Sequence, residues 1–555
     1  FVMNAECGFQ SRQSIDKQVM WTRLISVVEE QAQALLRTAF GSVVREAGDL
    51  SAGVYDLKGQ MLAQAVTGTP GHVNTMAMAV SHFLDRFPTE SMRPGDVFVT
   101  NDPWMGTGHL FDYVMLTPAF HNDDPVAFFA STCHVTDVGG RGFTADAGSM
   151  FEEGVLIPHM RIRSEGNLND DVLSIIQANS RNPVEVMGDI RSLLSCNDAG
   201  VTRFADMLNE FELDTLDDLS RHIIESSATA MRQAIRSVPD GVFSAQMTID
   251  GYEKPINLKA RLTVDKERIH LDYSESSSAS RFGINSPKCY TDAYSVFGLK
   301  CVIAPDVPNN AGSLGCFEIV AEPGSCVAPE RPAPVTARHV IGQMLPDMVF
   351  GCLAQALPDR VPAESAGSIW VLAMSSVDDA ARESRFNVMN VGLGGIGAGP
   401  GYDGMSTTAF PSGVGTIPIE VTETESPLIF HRKELLPDSG GAGAQRGGLS
   451  QIIEVGHAFS EPFLVSAATW DRLNYPARGR MGGDDGRAGA AYLGSGERLI
   501  GKKTHRIPAD QTLVIETPGG GGFGDPETRS DEQIEADTEA GYVSEAGAIS
   551  DYHKH

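Results

Sequence analysis

The sequence predicts an α+β protein of several domains, with mixed and antiparallel sheets, accompanying helices and a glycine-rich β region toward the C-terminus. Three observations carry this. The chain has 555 residues, 42% apolar and 21% charged, enough for a sizeable core and more than one domain. Short apolar runs bounded by turn residues mark strands, and they are interleaved with segments of helical periodicity. Many of the 58 glycines are clustered, which suits tight turns and close backbone approaches. The chain is divided accordingly into an α/β region rich in metal-ligand side chains (1–240), an α+β middle domain (241–365) and a glycine-rich β domain ending in an acidic helical tail (366–555).

The elements follow in order. Over 15–46, Val19, Leu24, Val27, Val28, Ala32, Leu35, Leu36 and Phe40 recur at helical spacing and predict a helix with a core stripe. Residues 50–65 flank Asp56-Leu57-Lys58-Gly59, which is turn chemistry, and predict a β-hairpin. A helix is expected at 74–86. Residues 96–100, 113–120 and 126–133 predict strands, with His121-Asn122-Asp123-Asp124 as a hairpin loop and His121 facing solvent. The stretch 168–237 is largely helical in pattern, 241–275 alternates as an antiparallel sheet, and 287–303 and 337–356 read as helical. From 366 the chain is strand-like, and 531–548 forms the acidic tail.

The formal charge of −29, from 43 basic and 72 acidic residues, gives a surface that repels nucleic acid and anionic lipid, so neither is expected as a partner. Eight cysteines (Cys7, Cys133, Cys196, Cys289, Cys301, Cys316, Cys326 and Cys352) form no CxxC pair. They predict reduced, buried thiols and a cytoplasmic location. No apolar run is long enough to span a membrane, and the first residues lack a signal-peptide pattern. The terminal Tyr552-His553-Lys554-His555 is either native or a remnant of expression, and carries no site.

Ligand-type side chains concentrate in GDVFVTNDPWMGTGHLFDYVMLTPAF and FFASTCHVTDVGG. His109 and Asp112 stand three apart at the mouth of a strand, where a turn can aim both at one point. His134 ends the strand expected to pair with 113–120, which would bring it beside them. Two imidazoles and a carboxylate make a mixed N/O site for a divalent Zn, Mn or Fe ion. With a coordination position left open, such a site activates water or polarises a carbonyl. Asp102 and Asp137 are expected to orient the imidazoles, and Asp137 is counted with the catalytic candidates. His72, before the 74–86 helix, is either a general acid/base or a loop histidine. Arg338, beside His339 at another helix start, is either a grip for a carboxylate or phosphate or a structural ion pair. Cys133 is the thiol to watch. Gly392–Gly397 satisfies GxGxxG but opens no helix, and Gly496–Lys503 resembles a P-loop without its Ser/Thr, so neither is read as a nucleotide site. Arg446, in DSGGAGAQRGG, holds either an anion or a salt bridge.

The strings GDVFVTNDPWMGTGHLFD, HVTDVGG, EEGVLIP, PDSGGAGAQRGG and TPGGGGFGDP, in this order along the chain, resemble the hydantoinase B/5-oxoprolinase family. That family includes caprolactamase β-type and acetone carboxylase α-type subunits. The resemblance implies metal ligands at Asp49 (in GDLS), His109, Asp112 and His134, with Cys133-His134 standing where many relatives have two histidines. It implies one divalent ion, zinc or manganese before iron. It also implies a hydantoinase A-type partner with an actin-like ATPase fold that uses ATP and Mg²⁺, in a heterotetramer with two copies of each subunit. The activity implied is ATP-dependent opening of a small cyclic amide (a hydantoin, lactam or oxoproline-type ring). The alternatives are a subunit of a bicarbonate-using ketone or lactam carboxylase, or a scaffold with a structural metal.

Overall fold

The computed structural model describes residues 2–66, 69–367, 369–377 and 386–553, with side chains from residue 15 onward. The Cys7 side chain and Lys554-His555 of the terminal tetrapeptide lie outside the described residues. The architecture is α+β, with four sheets.

The first sheet has seven strands in the order β2-β1-β5-β4-β3-β6-β7. These are β1 (Leu50–Tyr55), β2 (Met61–Gln64), β3 (Val97–Thr100), β4 (Asp112–His121), β5 (Asp124–His134), β6 (Met160–Ser164) and β7 (Asn167–Leu168). The β4–β5 hairpin forms as the alternation predicts, and its turn residues Asn122 and Asp123 take φ of 50° and 67°. Positive φ at both central positions matches the right-handed twist of the flanking strands. Helices Val2–Thr38, Pro183–Glu210 and Asp217–Ile235 pack on this sheet.

Two helix boundaries differ from the sequence reading. The first helix ends at Thr38, and a short Ser42–Arg45 helix follows. The break comes where Asp189 Oδ1 accepts the amides of Phe40 (2.7 Å) and Gly41 (3.0 Å), taking them out of the helical ladder. Of the predicted core stripe, Val19 and Phe40 are exposed (53% and 54%), while Leu24, Val27, Val28, Ala32 and Leu35 are buried. The helix expected at 74–86 spans Pro70–Arg86, because Pro70 is pre-set for a first helical turn. His72 therefore lies inside that turn rather than before it.

The second sheet runs β11-β10-β9-β8, from β8 (Gly241–Ile249), β9 (Ile256–Asp265), β10 (Arg268–Asp272) and β11 (Phe317–Val320), with β11 parallel to β10. Helices Lys288–Ile303 and Leu345–Leu353 lie against it. The largest apolar core extends from Ala32 to Ala468 and includes residues of both sheets.

The glycine-rich region holds two four-stranded sheets, ordered β13-β12-β16-β18 and β14-β15-β19-β17. Their strands are β12 (Trp370–Ser376), β13 (Asn387–Gly392), β14 (Leu428–Leu436), β15 (Ser450–His457), β16 (Phe463–Ser466), β17 (Ala490–Leu493), β18 (Thr504–Ile507) and β19 (Leu513–Glu516). Alternate residues of both sheets share one apolar core, in which Trp370 and Trp470 stack with centroids 5.4 Å apart. The acidic tail forms as two helices, Asp531–Glu539 and Glu545–Tyr552. The seven described cysteines are free thiols. No described helix is long and apolar enough to cross a membrane.

Candidate metal centre

The strand register builds the centre. Asp112 opens β4 and His134 closes β5, and the two are direct cross-strand partners. On the other side of β5, Leu50 of β1 pairs with Cys133, which sets Asp49 beside His134; the His134 amide donates to the Asp49 carbonyl (3.2 Å). His109 comes from the loop before β4. Its neighbour Gly108 has φ of 102°, and a Cβ there would sit 2.5 Å from Arg338 Cδ. Only glycine fits both the conformation and the contact.

His109, Asp112 and His134 are buried and offer ligand atoms that all lie within 4.8 Å of one another. His109 Nδ1 donates to the Thr336 carbonyl (2.9 Å), which fixes the tautomer and turns the Nε2 lone pair toward Asp112 Oδ1 at 2.9 Å. His109 Nε2, Asp112 Oδ1 and His134 Nδ1 are buried without a hydrogen-bond partner. Two acceptors facing each other in a buried site repel unless a cation lies between them, and a histidine tied to a carbonyl through its other nitrogen is the usual arrangement of a metal ligand. The donor set therefore fits a divalent ion.

The electrostatics agree. Burial, then the Arg338 charge, pushes His109 down to about 4. Burial, then His109, does the same to His134, also to about 4. Both rings are neutral at pH 7, the form that binds metal. Burial acts to raise the Asp112 carboxyl, but His109, His72 and Arg338 outweigh it and hold it well below the usual range.

The other predicted residues divide into those the fold brings to this point and those it does not. His72 Nε2 is 3.0 Å from Asp112 Oδ2 and its Nδ1 is 3.3 Å from Asp49 Oδ1. Burial lowers its pKa, yet the two carboxylates win and the net shift is upward. Arg338 Nη2 donates to Asp112 Oδ2 (2.6 Å), and its guanidinium lies 4.2 Å from the centre of the Tyr290 ring. Thr69 Oγ1 holds Asp49 at 2.7 Å, so Asp49 borders the three-residue cluster rather than joining it.

Asp137 and Asp102 are not brought to the imidazoles. Asp137 pairs with Arg181 and accepts the Gly139 amide (3.1 Å), because the turn at Gly139-Gly140 leads the chain away from the cluster. Asp102 pairs with Arg331 and accepts the Trp104 amide (2.9 Å). Cys133 is fully buried on the opposite face of β5, and burial raises its thiol well above the ordinary value, so it stays protonated. Arg446 forms a salt bridge with Asp537 (3.1 Å), and Lys502 of the P-loop-like string is buried on Asp471 (2.8 Å).

Sequence reasoning missed several neighbours. His339, named only as the companion of Arg338, has its ring 5.4 Å from that of His109, and burial, then Arg338, drives its pKa well below the ordinary value. Thr107 Oγ1 donates to Asp112 Oδ2 (2.7 Å). Phe143 stands 5.8 Å from His134 and 5.9 Å from His339. Beside them is a small cavity of about 40 Å³, bordered by Asp49, His134, His339 and Phe143 and walled by aliphatic side chains.

These features define an α+β protein with a buried His/Asp centre at a sheet end. Residues 13–526 match the family model described as Hydantoinase B/oxoprolinase, and the chain belongs to that family. It is 30% identical to an uncharacterised protein of Methanocaldococcus jannaschii, over 95% of this chain and 93% of that one. It is 28% identical to the B-type component of a putative D-/L-hydantoinase of Pseudomonas sp. (strain NS671), over 97% of this chain and 94% of that one. The ATP-dependent caprolactamase structure from Pseudomonas jessenii shares the fold, with a TM-score of 0.88 at 24% identity, covering 97% of this chain and 96% of that one.

Proposed function

We propose that this chain is the metal-bearing subunit of an ATP-dependent hydrolase of cyclic amides. The observation that carries the reading is the convergence of His109, Asp112 and His134 on one buried point, with donor atoms that have no other partner. A divalent ion held there, zinc or manganese in our reading and iron as the further candidate, polarises a carbonyl and acidifies water. His109 and His134 hold it as neutral rings. His72 and Arg338 act through Asp112, fixing its orientation and charge.

An amide carbonyl is a poor electrophile, so coupling to ATP suits the chemistry. The GxGxxG and P-loop-like strings do not form nucleotide loops here. Lys502 is occupied by Asp471, and the 394–404 glycines pack against other backbone. ATP and Mg²⁺ therefore belong to a partner of the actin-like ATPase type, with two copies of each subunit. The related B-type hydantoinase component, named as one part of a larger enzyme, and the shared family support this assembly.

The test is to purify the chain with its ATPase partner and supply ATP and a lactam or hydantoin, with and without bicarbonate. Ring-opened product that needs ATP but not bicarbonate is expected. A carboxylated product formed only with bicarbonate overturns hydrolysis. Elemental analysis checks the centre: a His109→Ala/His134→Ala variant should lose the metal that the unaltered chain retains. Equal metal content in both would sink the site assignment.

A further inference from the structure

We infer that the ring accepted at this centre carries no ionised substituent: it is an uncharged aliphatic cyclic amide, and a ring bearing a carboxylate is excluded. The inference rests on the metal-centre reading above and goes beyond it to substrate class.

The cavity beside His134 and His339 has walls from separate parts of the chain. Val43 comes from the segment after the first helix, Ile369, Val371, Met389 and Val391 from the β12–β13 pair, and Ile417 from the loop before β14. Val371 pairs directly with Val391, and Ala373 with Met389, so these side chains share one sheet face. Among the described lining residues the only ionised side chain is Asp49, an anion, and none is a cation. Arg338, the nearest guanidinium to the metal ligands, is committed to Asp112 at 2.6 Å. A carboxylate on the ring would lose its water, meet aliphatic walls and face Asp49, and no lining group would compensate it. A methylene ring has the opposite balance, since its carbons replace water against Val371, Met389 and Val391.

The test compares 2-pyrrolidone with 5-oxoproline, the same ring without and with a carboxylate. Binding to the metal-loaded chain is measured by calorimetry, and ATP-dependent turnover by the complex with the ATPase partner. Both association and kcat/KM should favour the uncharged ring at least 100-fold. Met389→Lys, which sets a cation in the wall, should narrow that ratio at least tenfold. The unaltered protein alone suffices to decide if that variant does not fold. Binding of 5-oxoproline as tight as or tighter than 2-pyrrolidone, or binding of neither ring, overturns the inference. The two readings fail separately. A binding preference for the uncharged ring without hydrolysis sinks the hydrolase reading and keeps the pocket, whereas equal hydrolysis of both rings does the reverse.

Discussion

Asp112 is fully buried, and three groups other than the metal ligands reach its Oδ2: His72 at 3.0 Å, Arg338 at 2.6 Å and Thr107 at 2.7 Å. Oδ1 is left facing His109. One oxygen is thus anchored and the other presented. Losing an anchor should weaken the metal without removing a ligand, by about 10–100-fold in affinity. His72→Gln should show this in a chelator competition assay, and unchanged affinity would separate His72 from the centre. Glu153 anchors the other side. Its Oε1 accepts the Val335 (2.6 Å) and Thr336 (2.8 Å) amides, and the Thr336 carbonyl fixes the His109 tautomer. Burial pushes this carboxyl up to about 7. The folded chain then keeps a proton that the unfolded chain releases near pH 4.5. Stability is lost as pH rises from there to about 7, and the full cost, on the order of 2–3 kcal/mol, stands above it. Glu153→Gln retains the acceptor and cannot ionise. In urea denaturation its stability relative to the unaltered chain should rise between pH 5 and pH 8 by that amount, and a flat difference would contradict the assignment.

The glycine segments act as elements without side chains. Gly441 N donates to the Gly520 carbonyl (2.9 Å), Gly520 N to that of Gly448 (3.0 Å) and Gly448 N to that of Ile396 (2.8 Å), so three distant stretches pack backbone on backbone. A Cβ at Gly519 would stand 1.7 Å from the Ser439 carbonyl oxygen. Gly519→Ala should destabilise the chain by about 3 kcal/mol or more, read by thermal unfolding, because a backbone atom cannot step aside as a side-chain tip can. The string TPGGGGFGDP announces that backbone approaches closely, but not what approaches it, since glycine carries no pattern to pair. The β4–β5 hairpin was legible for the opposite reason. Period-two alternation and an Asn-Asp turn set its register, and the register alone puts Asp112 opposite His134. His72 and His339 were poorly legible because their places depend on helices packed from elsewhere. The Pro70–Arg86 helix, for example, is tied to Lys288–Ile303 through Asn74 Nδ2 donating to the Ala293 carbonyl (3.0 Å). No local spacing encodes such a contact.

At the scale of the molecule, the cavity exists only where the glycine-rich region closes onto the rest, and a buried charge cluster ties that closure. Arg472, 1% exposed, donates to Glu364 Oε2 (3.1 Å) and the Ser365 carbonyl (3.2 Å), and lies 3.5 Å from Asp347 Oδ2. Asp347 sits on the Leu345–Leu353 helix, which follows the His339 turn, and Glu364 and Ser365 shortly precede wall residues Ile369 and Val371. Burial, then the neighbouring Glu364, pushes the Asp347 carboxyl up to about 7, so Arg472 is the cation that makes two close acids tolerable. Arg472→Met leaves Glu364 with Arg478 alone and Asp347 without its cation. Removing one partner of such a buried pair costs about 3–5 kcal/mol, and urea denaturation should show a loss of that size. The metal ligands belong to β4, β5 and the loop before them, elements that do not depend on this contact. Metal content of the folded variant should therefore be retained while kcat/KM on the ring substrate falls at least tenfold, as His339 and the aliphatic walls lose their fixed relation. Loss of metal in parallel with stability would instead mean that the centre and the closure of the glycine-rich region form one cooperative unit.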